Sequence, residues 1–474
     1  MLRITRFLGC GVTLAMALAC QGVVSSRAIT IELVGRAVLP ADTFAPGPTS
    51  SQFAGGANGV EVPFEGRQPV QGISAVLRAP RGVNTFLVTS DNGFGAKANS
   101  PDFVLRFYGV RPDFLTANGG SGQVFPVNPR TGRRLQSFNS ESYVQLNDPK
   151  AVAGFPIVAE QGIYPGSVTS TNPEGIAVDP AIQSGRLLTG GDFDIESFRR
   201  DRNGTFWFGD EFGPFLLHVN ANGELLESPI PLPNTLSLGE RPFVQSPDNP
   251  EFASLPTPQE RSAAANLAGS RGFEGMAINP SGTKLYAMLE GALVPDPQRD
   301  RLTINEFDIQ TKQYTGQVFF YRLEDSSHAI GELTAINDQE FLVIERDNRQ
   351  GDPNNPEFTN PAQFKRIYKI DISRLDDEGF VEKQLLVDLL DIPDPNGIGG
   401  NGTTDGTFTF PFVTIESVLP VNPRTLLVIN DNNYPGSVGR TPGKADDNEF
   451  ILIKLDQPLD LNGRRRQLPR KHYR

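Results

Sequence analysis

The chain has only two cysteines in 474 residues, and both stand near its start, at Cys10 and Cys20. Neither disulfides nor thiolate-bound metal can therefore hold the body of the protein, whose stability must come from packed apolar side chains. Histidine is scarce at three residues, and tryptophan at one. Past the start, no apolar run reaches the roughly 18 residues that span a bilayer. Long stretches free of glycine and proline are missing too. With 48 Gly and 39 Pro, the chain is interrupted too often for a helical bundle, and turns dominate. Basic charge is in deficit, and the formal net charge of −12 repels nucleic acid and attracts cations. No Gly-x-Ser-x-Gly elbow, phosphate-cradling Gly-x-x-x-x-Gly-Lys loop or His-Glu-x-x-His helix occurs, which leaves serine-triad, P-loop and zincin chemistry unsupported.

What is present begins with a leader. Arg3 and Arg6 precede an apolar run from Phe7 to Ala19, too short for a span and typical of a signal peptide, expected over residues 1–28. Cleavage after Ala28 uses Ser26-Arg27-Ala28 as the small-x-small site. Cleavage after Ala19 would instead place Cys20 first and open the way to a lipid anchor. The leader takes both cysteines and Arg3, Arg6 and Arg27 with it, so the mature chain is more acidic still. A periplasmic or extracellular monomer is expected, with one domain over 29–463, a basic tail over 464–474, a small-molecule substrate, no nucleic-acid partner and no membrane span. The tail, Arg464-Arg465-Arg466 to Arg470-Lys471, reads as solvated.

Within the domain one pattern recurs: an acidic or small start, an apolar strand, a polar turn, a second apolar strand, and an acidic or amide exit. Its best copy runs from Ile195-Glu196-Ser197-Phe198 through Arg202-Asn203-Gly204 to Thr205-Phe206-Trp207-Phe208 and exits at Asp210-Glu211. Asn-Gly between alternating strands is a strong hairpin signal. Other copies start at Ile73, Glu274, Glu332 and Glu416 and exit at Asp91, Glu290, Glu345-Arg346 and Asp431; a less regular one starts at Pro173-Glu174-Gly175-Ile176. A third strand often follows each exit. The repeats exceed the about 40 to 50 residues of simple propeller blades, so Ser228 to Pro258, Asn348 to Pro361 and Asp391 to Gly406 are expected as long loops on one face. The fold class predicted is an all-β propeller of about six blades; a parallel β-helix has shorter, more uniform repeats.

In an antiparallel hairpin the start of the first strand and the end of the second lie side by side. Glu196 and Glu211 should therefore be neighbours, and radial repetition then carries Glu196, Glu274, Glu332 and Glu416, with Asp91, Asp210, Glu290, Glu345 and Asp431, toward one rim of the central channel. So many like charges raise one another's pKa, and a divalent metal is the simplest neutraliser, calcium suiting oxygen ligands best. Acids at strand ends also serve as turn formers and caps. Glutamate at strand starts, where turn chemistry does not ask for it, raises the group above its members. The expected ligands are Glu196, Asp210, Glu211, Glu274, Glu345, Glu416, Asp431 and Asp91. His328, just before a strand start, is a candidate acid or base, and Glu211 is a candidate catalytic residue. Arg346, Arg349 and Lys97 can hold a phosphate, although Arg346 equally suits an ion pair with its acidic neighbours. His218 reads as packing or surface, His472 belongs to the tail, and Trp207 and the many Phe read as packing between blades.

The segments Ser90-Asp91-Asn92-Gly93-Phe94-Gly95-Ala96-Lys97-Ala98-Asn99-Ser100-Pro101-Asp102, Asp194-Ile195-Glu196-Ser197, Phe206-Trp207-Phe208-Gly209-Asp210-Glu211-Phe212-Gly213-Pro214-Phe215, Phe273-Glu274-Gly275-Met276-Ala277 and Ile344-Glu345-Arg346-Asp347-Asn348 together resemble the bacterial "esterase-like activity of phytase" family, in order and over nearly the whole mature chain. The resemblance implies an exported, calcium-dependent propeller linked to hydrolysis of phosphate esters such as phytate. A lactonase-type hydrolase and a non-catalytic, calcium-stabilised propeller that binds an extracellular ligand remain open as alternatives.

Overall fold

A computed structural model of the chain describes residues 30–461. The predicted leader with Cys10 and Cys20, and the tail with Arg464 and His472, lie outside the described residues.

Short alternating apolar segments joined by tight turns form antiparallel hairpins. In the best copy Gly204 takes a φ of +85°, and the Asp201 carboxylate accepts the Thr205 amide at 3.0 Å, closing the turn between Ile195–Arg200 and Phe206–Asp210. Four-stranded blades grow from such hairpins. Blade 1 is Ile73–Arg78, Phe86–Ser90, Arg106–Asp113 and Gln123–Val127. Blade 2 adds Phe215–Val219 and Ile230–Pro231 to the hairpin just described. Blade 3 is Phe273–Ile278, Lys284–Leu289, Arg301–Asp308 and Gln313–Arg322. Blade 4 is Ala329–Ala335, Glu340–Arg346, Lys365–Leu375 and Val381–Asp388. Blade 5 is Thr414–Asn422, Thr425–Asp431 and Asn448–Leu455, completed by the early strand Ile31–Leu39, which pairs antiparallel with Asn448–Leu455.

The first strands of the blades pack side by side in a closed ring, blade 5 against blade 1. Among the described residues the ring therefore has five blades, not about six. The copy at Pro173 makes only an isolated bridge between Ile163 and Ala177, because no second apolar strand follows it. Closure is clasped by charge: Glu449 accepts from Arg36 Nε at 2.9 Å and from Arg440 Nε at 2.8 Å. Burial alone would raise the Glu449 pKa, but Arg440 and Arg36 hold it at about 2.

Successive strand residues face opposite sides of a blade, and here each side packs on a neighbouring blade. Phe198, Phe206 and Phe208 meet Phe107 of blade 1, whereas Trp207 packs with Phe273 and Phe307 of blade 3. Phe341 and Val343 join Tyr286 and Met288, while Leu342 and Ile344 join Val428 and Ile451. Leu427 and Ile429 meet Val76 and Val88, giving one apolar layer for each of the five blade junctions.

One irregularity repeats in every blade. The first hairpin carries a β-bulge after Ile73, Ile195, Phe273, Ile330 and Ile415, so the extra residues are Ser74, Glu196, Glu274, Gly331 and Glu416. Bulges re-aim side chains where they occur. Each first strand starts at the bulged end and each second strand returns to it. The second-to-third and fourth-to-first connections therefore emerge on that same face. They include the long loops expected at 228–258, 348–361 and 391–406, the last holding two strands of a small sheet, Ile392–Pro393 and Thr403–Thr404, whose third strand, Thr407–Phe408, follows it. Among the described residues no helix is long and apolar enough to cross a membrane.

Gly331 is the bulged residue where blade 4 approaches blade 5, and a Cβ there would lie 2.1 Å from the Ile415 carbonyl oxygen. Gly331→Ala is expected to lower stability by roughly 1–3 kcal/mol, as overpacking does. Urea unfolding checks this, and an unchanged midpoint would contradict the close approach.

Candidate metal centre

The repeated bulge decides which side chains face the axis. Glu196, Glu274 and Glu416 line a cavity of about 270 Å³ at the mouth of the ring. The second-strand residues paired before each bulge are Ser90, Asp210, Leu289, Glu345 and Asn430. The residues that follow them, Asp91, Glu211, Glu290, Arg346 and Asp431, all line the same cavity. Asp194, Asn92, Arg271, Thr414 and Asn433 complete much of the wall. Eight carboxylates (Asp91, Asp194, Glu196, Glu211, Glu274, Glu290, Glu416 and Asp431) thus face two arginines, Arg271 and Arg346.

Some of these acids are oriented by neighbours. Asp194 accepts the Asn92 amide at 3.2 Å and its side-chain Nδ2 at 2.9 Å. Glu211 accepts the Gly272 amide at 3.0 Å. Asp431 accepts the Asn433 amide at 2.7 Å and the Thr414 hydroxyl at 3.1 Å. Glu290 takes Arg346 Nη2 at 2.9 Å and is also paired with Arg271. By contrast, Oε2 of Glu196 and Oε1 of Glu274 are buried with no hydrogen-bond partner. An unsatisfied buried carboxylate oxygen is costly and calls for a ligand.

The electrostatics follow. Burial first, then Glu416 and Glu196, push the Glu274 carboxyl well above its ordinary range. Burial with Asp431 and Glu196 does the same at Asp91 and Glu416. Burial with Glu290 and Glu196 does so at Glu211, and burial with Glu196 and Glu211 at Asp194. Burial raises Glu196 to about 7, against side-chain hydrogen bonding with Asp194 and Ser74. Oxygens of Asp194, Glu196 and Glu211 lie within 4.8 Å of one another, and so do oxygens of Glu196, Glu274 and Glu416. That spacing lets three carboxylates share one cation. The residues therefore fit a divalent ion.

Not every candidate reaches the mouth. Asp210 sits one residue back and spends its oxygens on the Asp194 amide at 2.8 Å and the Gly213 amide at 2.7 Å, shaping the loop that presents Glu211. Glu345 has the same register position. It is held by Tyr321 and Lys383, both at 2.6 Å, and by His328 at 3.0 Å. Burial would raise Glu345, but His328 and Lys383 bring its pKa below the ordinary value. His328 is thereby engaged away from the cavity, its ring packed at a tilt against Phe364. Lys97 donates to the Asp248 carbonyl at 2.8 Å and lies over Phe212. Arg349 is not among the lining residues. Glu332 is one residue past the bulge and pairs with Arg199 at 2.8 Å. His218 stacks on Trp207 inside blade 2.

Sequence reasoning did not single out Asp194 or Arg271 for the site. Asp194 precedes the strand at Asp-x-Glu spacing, a signal that was there to use. Arg271 sits in a loop without one.

The sequence profile of the Phytase-like family, described as esterase-like activity of phytase, matches residues 68–434. An uncharacterized secreted protein of Arthroderma benhamiae (strain ATCC MYA-4681 / CBS 112371) is 25% identical over 264 residues, covering 50% of each chain. The chain thus spans about half the length of this curated relative. Among solved structures it is similar to a luciferin-regenerating enzyme at 12% identity, covering 90% of this chain and 95% of that one with a TM-score of 0.34. The PQQ-bound aldose sugar dehydrogenase of Streptomyces coelicolor is 10% identical, covering 90% and 98%, with a TM-score of 0.32. Likenesses this distant say nothing of chemistry.

The mouth acids bind protons in the folded state that the unfolded chain releases, so stability falls as pH rises between the ordinary 4.5 and the value of about 7 at Glu196. Chelated protein should melt lower at pH 7.5 than at pH 5, and calcium should raise melting more at pH 7.5. A chelated protein that gains stability over this range would contradict the assignment.

Proposed function

The chain belongs to the family described as esterase-like activity of phytase, and from that membership and the mouth we propose that it is an exported, divalent-metal-dependent hydrolase of phosphate esters. The observation that carries the reading is the convergence of eight carboxylates with two arginines on one cavity, where buried oxygens of Glu196 and Glu274 lack partners. Asp194, Glu196, Glu211, Glu274 and Glu416 would supply the metal ligands. An all-oxygen set favours calcium, then magnesium or manganese. Export is supported by the leader composition and by the secreted relative.

When bound, the ion supplies Lewis acidity and offsets the charge of a phosphate brought into an acidic cavity. The chain's own residues supply orientation and proton transfer. Arg346 is fixed by Glu290 through Nη2 and by Asn348 through Nη1 at 2.8 Å, while its buried Nε has no partner. That donor suits a phosphate oxygen, with Arg271 on the adjacent wall. Glu211, oriented into the cavity by the Gly272 amide, suits the attacking water as proton acceptor. The water oxygen bonds to phosphorus as its proton passes to Glu211, the ester P–O bond breaks, and the leaving oxygen takes a proton from solvent, to which Glu211 then returns its own.

Purified protein should hydrolyse a panel of phosphate monoesters and lose that activity in excess chelator. Glu211→Gln should reduce kcat/KM on the order of 100-fold, as loss of a preorganised polar group does, with melting temperature in chelator no lower than wild type. Undiminished hydrolysis in chelator would refute the metal dependence. Activity only on lactones, or on no ester while calcium still stabilises the fold, would favour the other readings.

A further inference from the structure

The mouth carboxylates do not form one ligand set. They form two groups of three that share Glu196: Asp194 with Glu196 and Glu211, and Glu196 with Glu274 and Glu416. The groups differ in origin. The first comes wholly from blade 2 and the segment leading into it, whereas the second draws one bulged residue from each of blades 2, 3 and 5. Resting on the metal-dependent reading above, we propose that the mouth holds two divalent cations bridged by Glu196, one at the shoulder of blade 2 and one on the ring axis.

Three observations carry this. Each group by itself places three carboxylate oxygens within 4.8 Å, the spread of ligands around a single calcium at about 2.3–2.6 Å. Among the mouth carboxylates, the unpartnered oxygens fall on the residue shared by both groups, Glu196, and on a residue of the axial group alone, Glu274; these residues are 9% and 4% exposed. Finally, one divalent ion leaves the mouth strongly negative. Against eight carboxylates and two arginines, a second ion brings the local charge closer to what a buried cavity tolerates.

The two positions have different consequences. The axial ion joins three blades, so it acts on the stability of the ring. The shoulder ion lies with Glu211 and Asp194, whose orientation is set by the Gly272 amide and by Asn92, so it acts on substrate.

Calcium titration of the chelated, full mature chain by calorimetry, with stoichiometry read by native mass spectrometry, tests the assignment. Wild type should take two ions. Asp194→Asn and Glu274→Gln should each take one, and Glu196→Gln should weaken both steps at least tenfold. Each substitution removes charge from a repulsive cluster, so melting in chelator should be no lower than wild type, which controls for folding. A wild-type stoichiometry of one overturns the two-ion centre and leaves the hydrolase reading standing. Loss of both ions, or of neither, in Asp194→Asn or Glu274→Gln also overturns it. No calcium bound by wild type overturns both readings.

Discussion

Repulsion among buried carboxylates is the constraint around which this molecule is organised. Closing five blades into a ring carries the same strand position from each blade to one opening, and the sequence places acids there repeatedly. Isolated in an apolar interior, such groups would take up protons and the charge would vanish. Packed together at a mouth with two arginines, they leave oxygens without partners and pKa values displaced upward by burial and by one another. A site of this kind destabilises its own fold until something positive occupies it.

The rest of the structure supplies the rigidity to hold that arrangement. Five apolar layers, one between each pair of blades, fix the strands that present the acids. Burying large side chains such as Trp207, Phe198 and Phe208 contributes on the order of 2–3 kcal/mol each. The clasp of Glu449 between Arg36 and Arg440 locks the early strand into the last blade, far along the chain from its partner. Buried polar strain at a functional opening, offset by apolar packing elsewhere, is a common division of labour.

Much of this was legible in the sequence, and the failures are informative. The hairpins, the ring, and Glu196, Glu274 and Glu416 followed from period-2 alternation and from glutamate at strand starts. The bulge was not legible. It inserts one residue without changing composition, and it is why Glu332 falls one position past the axis while Gly331 occupies the equivalent place. The same register separates Glu345, turned into a network with His328 and Lys383, from its neighbour Arg346, which reaches the mouth. Asp210 and Glu211 divide likewise, one shaping the loop and the other facing the cavity. Asp194 and Arg271 come from connecting segments, where no repeat marks a residue. The sixth copy at Pro173 carried the opening signature of a blade without the second strand that makes one.

The family match and the geometry of the mouth support each other, but they rest on different grounds. The match covers most of the chain and concerns descent; the mouth concerns charge, and stands whatever substrate is used. Its most direct test is elemental analysis of the protein purified from its export compartment without added metal, after dialysis against metal-free buffer. The account predicts divalent metal, calcium foremost, in at least equimolar amount. Protein that is fully folded at neutral pH and holds only traces of any divalent ion would contradict it.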